Sequence, residues 1–302
     1  MNPLPLARAL RRRLDLTATL LVAATALVAS APAATPNEIH LLIRADDMGS
    51  CHAANLATIQ CYREGIVRSA EVIVPGPWFP EAVKLLAENP GLDVGVHLTL
   101  TSEWDLLKWR PLTPTPSLVD GDGYFHPNVG APEKPDSGPL GATARPEEIE
   151  RELRAQIELA RKHIKNLSHL STHMFWHRAS PAIQAIVEKL AKEYALPIEI
   201  DGVQPLGSLG EWPKTTAAQK EDAMAAHLER IGPGTWFFLE HPGADDPEMR
   251  AMGVMPWYPN VAADRDGVTR LFTSPRIREI VARRGIRLVS YGDLLRERTA
   301  RP

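Results

Sequence analysis

Beyond a short leader, the chain alternates runs of apolar and β-branched residues with longer stretches in which apolar positions recur every three or four residues. Apolar runs without strict alternation suit strands covered by helices on both faces, as in parallel sheets. Seven runs predict strands over residues 39–45, 70–74, 93–98, 167–172, 198–201, 235–239 and 286–290. Helical spacing predicts helices over 53–64, 80–88, 146–164, 180–194, 216–231 and 275–283. The third opens with Pro146, Glu147 and Glu148. That start suits a helix, because proline has no N–H to leave unpaired and carboxylates favour the positive end of the helix dipole. The alternation predicts one α/β domain over residues 37–298, a deformed TIM-type (β/α) barrel of about seven parallel strands.

Two stretches depart from the rhythm. Residues 101–145 hold Pro111, Pro114, Pro116, Pro127, Pro132, Pro135 and Pro139 and lack a period. Their Trp104, Trp109, Tyr124 and Phe125 predict an ordered excursion on the substrate side of the barrel rather than a linker. At the chain start, Arg8, Arg11, Arg12 and Arg13 precede an apolar run and then the small residues Ala29, Ser30 and Ala31. This predicts a cleaved signal peptide over residues 1–31 and export to the periplasm or beyond the cell. The apolar run contains Asp15 and falls short of the roughly 20 residues that a stable membrane span requires.

Charge narrows the partners. The chain has 34 basic and 37 acidic side chains, and without residues 1–31 the balance is 30 against 36. A net negative exported protein argues against nucleic acid and polyphosphate partners, and a homodimer stays open. Cys51 and Cys61 lie ten residues apart in or beside one predicted helix. That is about 15 Å of helix against the roughly 7 Å a disulfide tolerates, so both are expected unpaired and buried.

The chemistry gathers where strands end. The first strand runs into Asp46 and Asp47, the third carries His97 in VGVHL, the fourth ends at THMFWH with His173 and His177, and the sixth ends at Glu240 and His241. In parallel barrels the active site lies at the carboxyl ends of the strands, so ligand-type side chains from four strands are brought to one end. A set of one carboxylate and two histidines suits Zn²⁺ with an open position, whereas Mg²⁺ or Mn²⁺ prefers more oxygen ligands. His40, His52, His126, His163 and His227 have no second ligand type nearby and read as ordinary structural residues, while His169 is open between a supporting partner and a strand residue.

With the segments LLIRADDMG, YREGIVRSA, NPGLDVGVHLTLT, HLSTHMFWH, EHPG and TSPRIREIVARRGIRLVSYGDL in this order, the chain resembles the YdjC-like carbohydrate deacetylases. The resemblance covers nearly all of the chain beyond the leader. It implies a divalent metal, zinc or magnesium, on Asp47, His97 and His173, Asp46 as the catalytic base, and His241 in an acid role. The family's fourth-strand motif reads like HxDSHxH, whereas Ser171, Thr172 and Phe175 stand at three of its positions here while His173 and His177 remain. Val268 stands where the family often has Glu, three residues after the position matched by Arg265.

The chemistry the resemblance implies is hydrolysis of an N-acetyl amide on an acetylated amino sugar or oligosaccharide, releasing acetate. Trp104, Trp109, His177 and Arg265 are candidates for the substrate side. Trp78, Trp176, Trp212 and Trp257 also lie outside the strands, and for each tryptophan sugar stacking and ordinary packing stay open. Two other readings stay open as well: a barrel hydrolase for another amide or ester, and an exported carbohydrate-binding protein without catalysis.

Overall fold

The computed structural model describes residues 37–300 apart from 135, 136, 179, 199 and 201, so the expected signal peptide lies outside the described residues. Strand β1 (Ile39–Met48) is buried along almost its whole length and forms the centre of the sheet. It pairs in parallel with β6 (Gly234–Glu240) on one edge. Its other edge is shared by β7 (Arg287–Val289) near the start and β2 (Ser69–Val72) near the end. Beyond β2 come β3 (Asp93–Leu98) and β4 (Leu167–Thr172), and beyond β6 comes β5 (Val203–Pro205). All seven strands run parallel in the order β4-β3-β2-β1-β6-β5 with β7 on β1. Among the described residues the curled sheet is a half-barrel with no pairing between β4 and β5, as in a deformed (β/α) barrel.

Helices α1 (His52–Glu64), α2 (Phe79–Glu88), α3 (Pro146–His163), α4 (Pro181–Tyr194), α5 (Ala217–Arg230) and α8 (Pro275–Arg283) fall within a residue of the expected spans. Three further helices, α6 (Pro247–Ala251), α7 (Val261–Thr273) and α9 (Tyr291–Thr299), were not expected. Helix α7 is buried nearly all round, so it lacks the polar-apolar contrast that helical periodicity detects. Helix α9 starts on a reciprocal cap in which Ser290 Oγ accepts from Asp293 N and Asp293 Oδ2 accepts from Ser290 N.

The fifth strand needs correction. The apolar run at 198–201 predicts it there, but pairing occurs at Val203–Pro205 against Thr235–Phe237 of β6, because register with β6 outweighs local hydrophobicity. Cys51 and Cys61 are both unpaired and buried, as expected. Among the described residues no helix is long and apolar enough to cross a membrane. The core is built from inward residues of β1–β4 such as Ile43, Ala70, Val94 and Leu170 packed on α1, α3 and α4 through Ile59, Leu153 and Val187. Each large aliphatic side chain so buried contributes about 1.5–3 kcal/mol.

Residues 101–145 form an ordered excursion. Their regular structure is one short 3₁₀ turn at Pro116–Leu118 and an antiparallel bridge between Val119 and Phe125. Helix α3 pins them. The Glu152 carboxylate accepts from Leu112 N at 3.0 Å, Thr113 N at 2.9 Å and Thr113 Oγ1 at 2.7 Å, and Glu148 Oε2 accepts from Ser117 N and Oγ. The segment thereby delivers Glu103, Trp104 and Asn128 to the carboxyl end of the sheet.

Candidate active site at the carboxyl ends of the strands

Adjacent strand residues normally point to opposite faces, so Asp46 and Asp47 could not share one cavity on a regular strand. The β1–β2 register shifts between Ala45 and Met48, and Asp47 adopts a left-handed φ of 72°. This irregularity turns both carboxylates into one cavity. Aspartate is among the few residues that enter the left-handed region at modest strain.

Each carboxylate has its own arginine. Arg44 Nε donates to Asp46 Oδ1 at 2.7 Å and Nη2 to Oδ2 at 2.8 Å, a bidentate pair that fixes the plane of Asp46. Arg44 also donates to Tyr291 Oη at 3.1 Å. Arg265 on α7 donates from Nη2 to Asp47 Oδ2 at 2.7 Å and lies over the Trp104 ring, 4.9 Å from its centre. Burial would raise the Asp47 pKa, but His241, Arg265 and His173 outweigh it and hold the carboxyl well below its ordinary range.

The second oxygen, Asp47 Oδ1, is buried and has no hydrogen-bond partner. It faces His173 Nδ1 at 3.3 Å and His97 Nε2 at 3.6 Å. A buried carboxylate oxygen left unbonded between two imidazoles is an unfavourable arrangement unless a cation lies among them. One ligand atom from each of Asp47, His97 and His173 lies within 4.8 Å of the others. The residues fit a divalent ion, with N and O donors of the kind zinc accepts.

The outer nitrogens of both imidazoles are engaged. Burial, opposed by Asp46, pushes His97 down to about 4, so its ring is neutral. Its Nδ1 lies 2.7 Å from Ser171 Oγ, whose hydroxyl donates to Glu71 Oε2. Glu71 is wholly buried; burial would raise its pKa, yet His169 and Arg44 bring it to about 2, so it accepts only. With its one proton committed to Glu71, Ser171 must accept from His97 Nδ1–H, which leaves the Nε2 lone pair directed at Asp47. The chain of contacts continues from Glu71 to His169, which stacks on Tyr291 at 3.6 Å between centres. Gly95 on β3 makes room for this cluster, since a Cβ there would sit 2.4 Å from Glu71 Oε2. On the other side, His173 Nε2 lies 2.9 Å from Glu103 Oε2. Burial disfavours charge on His173, but Glu103 and Asp47 outweigh it and raise the ring to about 10. The same two carboxylates favour a metal cation.

Asp46, Asp47, His97, His173, His241, Trp104 and Arg265 line one cavity of about 430 Å³. His241 Nδ1 is 3.3 Å from Glu240 Oε2, which leaves Nε2 as its available nitrogen. Burial lowers the His241 pKa, while Asp47 and Glu240 raise it further, for a net upward shift. Trp109 and His177 do not line this cavity, although the Trp109 ring lies edge to face with His173, 6.3 Å between centres. Trp109 is buried and donates to Thr101 O, and His177 lines a separate cavity beside β5, with Nδ1 against Thr172 Oγ1. Arg44, Glu71 and Glu103 were not singled out as site residues from sequence, whereas Trp212 and Trp257, open there between sugar stacking and packing, line the cavity. Arg44 precedes Asp46 by the two-residue period of a strand face, and Glu71 is a lone acid in an apolar strand; both were visible signals. Glu103 sits in an irregular loop and gave none.

Residues 40–283 match the family model described as YdjC-like protein. A carbohydrate deacetylase of Brevibacillus brevis is 40% identical over 159 residues, which are 52% of this chain and 58% of that protein. The chain thus spans less than two thirds of that relative. A carbohydrate deacetylase of Thermus thermophilus is 32% identical over 80% of this chain and 89% of its own length. A solved Enterococcus faecalis V583 protein named for cellobiose-phosphate cleavage superposes with a TM-score of 0.67 at 23% identity, covering 85% of this chain and 99% of that one, which bears on the fold. With the family model matched over residues 40–283, the chain belongs to the YdjC-like family.

Proposed function

We propose that the protein is a metal-dependent hydrolase that removes acetyl groups from N-acetylated sugars. The observation that carries this reading is the buried Asp47–His97–His173 cluster beside Asp46 and His241 in one cavity. The deacetylase names of the Brevibacillus brevis and Thermus thermophilus relatives support it.

Asp47, His97 and His173 would hold the ion. A divalent ion there supplies Lewis acidity, polarising the acetyl carbonyl and acidifying water. Arg265 keeps one Asp47 oxygen occupied and so directs the other to the histidines. Asp46, held in plane by Arg44, takes a proton from the attacking water at a carboxylate oxygen. His241, oriented through Nδ1 by Glu240, gives the Nε2 proton to the amide nitrogen as the C–N bond breaks. The products are acetate and a free amino sugar; Asp46 then loses its proton to solvent and His241 regains one. The expected signal peptide would place this activity outside the cytoplasm.

The test is acetate release from N-acetylglucosamine oligomers, with chelated, Zn²⁺-loaded and Mg²⁺-loaded protein compared. Metal-dependent release should fall about 10²–10⁴-fold in Asp46→Asn and be lost in His97→Ala. Folded protein that releases no acetate with any metal at any oligomer length would sink the reading.

A further inference from the structure

The two aspartates share one cavity because the backbone leaves β1 through an irregular turn, and that turn has to be held in place. Asp47 is left-handed, with φ of 72°, and Gly49 follows with φ of 92°. Strained backbone of this kind persists where its surroundings over-determine it. Ser50 closes the turn on itself, its N and Oγ both donating to Asp47 O, at 3.2 and 2.6 Å. Ile73 N, just beyond β2, donates to Met48 O at 2.8 Å. Gly49 is buried, so its own N–H and carbonyl need partners inside the protein.

A closed ring of three hydrogen bonds supplies them. Gly49 N donates to Asn55 Oδ1 at 2.6 Å, Asn55 Nδ2 donates to Trp78 O at 3.1 Å, and Trp78 N donates back to Gly49 O at 3.0 Å. The second Nδ2 proton goes to Glu81 Oε2 at 2.9 Å, and Glu81 Oε1 meets His52 Nδ1 at 2.8 Å. Asn55 is wholly buried on α1, Trp78 immediately precedes α2, and Glu81 lies in the first turn of α2, so the ring ties the turn to two helices. Gly76 permits the close approach, since a Cβ there would sit 2.3 Å from Gly49 O. One acceptor and two donors of the Asn55 side chain are all in use, a set that an amide has and a carboxylate lacks. Asn55 is not among the residues that line the catalytic cavity, so it acts on the site through the backbone it holds.

We propose that Asn55 is the positioning residue of the aspartate pair: by accepting from Gly49 N it fixes the turn that directs Asp47 Oδ1 at His97 and His173 and keeps Asp46 beside them. The inference rests on the deacetylase reading for its effect on rate and on the ion site for its effect on affinity. The placement of Asp47 is a property of the chain itself.

The full chain would be compared as wild type, Asn55→Ala, Asn55→Asp/Glu81→Gln and Ile59→Ala. The readouts are Zn²⁺ affinity by chelator competition, kcat and KM for acetate release at saturating Zn²⁺, melting temperature, and the crystal structure of each metal-free protein. Ile59 is a buried core residue of the same helix, so its truncation lowers stability without touching the turn. Asn55→Ala should weaken Zn²⁺ binding by about 10–100-fold, as loss of an orienting partner does. It should also lower kcat by about 10²-fold with a smaller change in KM. Its crystal structure should show Asp47 Oδ1 turned away from the two imidazoles. The double variant keeps an acceptor for Gly49 N and reverses the donor and acceptor between positions 55 and 81, so it should recover most of the affinity. Ile59→Ala should lower the melting temperature and leave affinity and kcat at wild-type values. Wild-type affinity and geometry in Asn55→Ala, an equal loss in Ile59→Ala, or a double variant no better than Asn55→Ala would each overturn the proposal. If Asn55→Ala does not fold, Glu81→Ala, which loosens the amide on one side, should show a several-fold loss in the same readouts, and no loss there would overturn it too. Zn²⁺ losses of this pattern without acetate release from any variant would remove the deacetylase reading and leave the role of Asn55 in place. If the wild type binds no Zn²⁺, the ion site is lost, and the position of Asp47 in the crystal structures decides the proposal.

Discussion

At the scale of single residues, the site depends on which oxygen or nitrogen each side chain keeps free. Asp47 gives one oxygen to Arg265 and leaves the other unbonded between two imidazoles. His97 and His173 are each backed by a carboxylate, one through Ser171 to Glu71 and the other directly by Glu103. Such outer partners fix the imidazole tautomer and orientation and are worth about 10–100-fold in metal affinity. Glu103→Ala should weaken Zn²⁺ binding by about that factor in a chelator competition, and Ser171→Ala should do so by about tenfold, whereas Glu103→Gln, which keeps an acceptor for His173 Nε2–H, should lose less. Unchanged affinity in both alanine variants would mean that these contacts do not orient the histidines. The sequence shows Ser171 in place of a family aspartate and leaves its consequence open. The structure answers it, because Glu71 reaches from β2 to complete through the serine what the shorter side chain cannot do alone.

At the scale of elements, short apolar or β-branched runs between helical stretches were the legible part. β3 and β4 fall on the residues expected, and β1 differs only by extending through the bulge that turns its two aspartates inward. Helix α7 was not legible, because burial on most sides erases periodicity, yet it carries Arg265. The excursion over 101–145 owes its order to α3 rather than to its own hydrogen bonds. Glu152→Ala would remove the acceptor of the Leu112 and Thr113 N–H groups, which are only part-buried, at a cost of about 0.5–1.5 kcal/mol for each hydrogen bond lost. Urea denaturation should show that loss, and limited proteolysis should show earlier cleavage within 101–145. An unaltered proteolysis pattern would mean that the segment holds itself.

At the scale of the whole molecule, strands distant in sequence converge on one candidate ion site, so an ion bound there should stabilise the folded state as a unit. Ion at 100 times its dissociation constant contributes about 2.7 kcal/mol, which for a domain of this size raises the melting temperature by about 5–10 °C. Chelation should lower the melting temperature by that amount and Zn²⁺ should restore it; a chelator-insensitive transition in protein free of metal by elemental analysis would refute the ion site. The sequence by itself determined the parallel α/β class, most of its strands and helices, the two unpaired cysteines and the strand-end residues that carry the family resemblance. These depend on apolar periodicity, local spacing and residue type, which the linear chain records. Only the tertiary structure decided that Asp46 and Asp47 face the same way, that Glu71 and Glu103 back the two histidines, and that Trp212 and Trp257, rather than Trp109, stand at the open mouth. Those outcomes depend on a local register shift and on contacts between segments far apart in the chain, where backbone direction and burial, and not local pattern, decide which atoms meet.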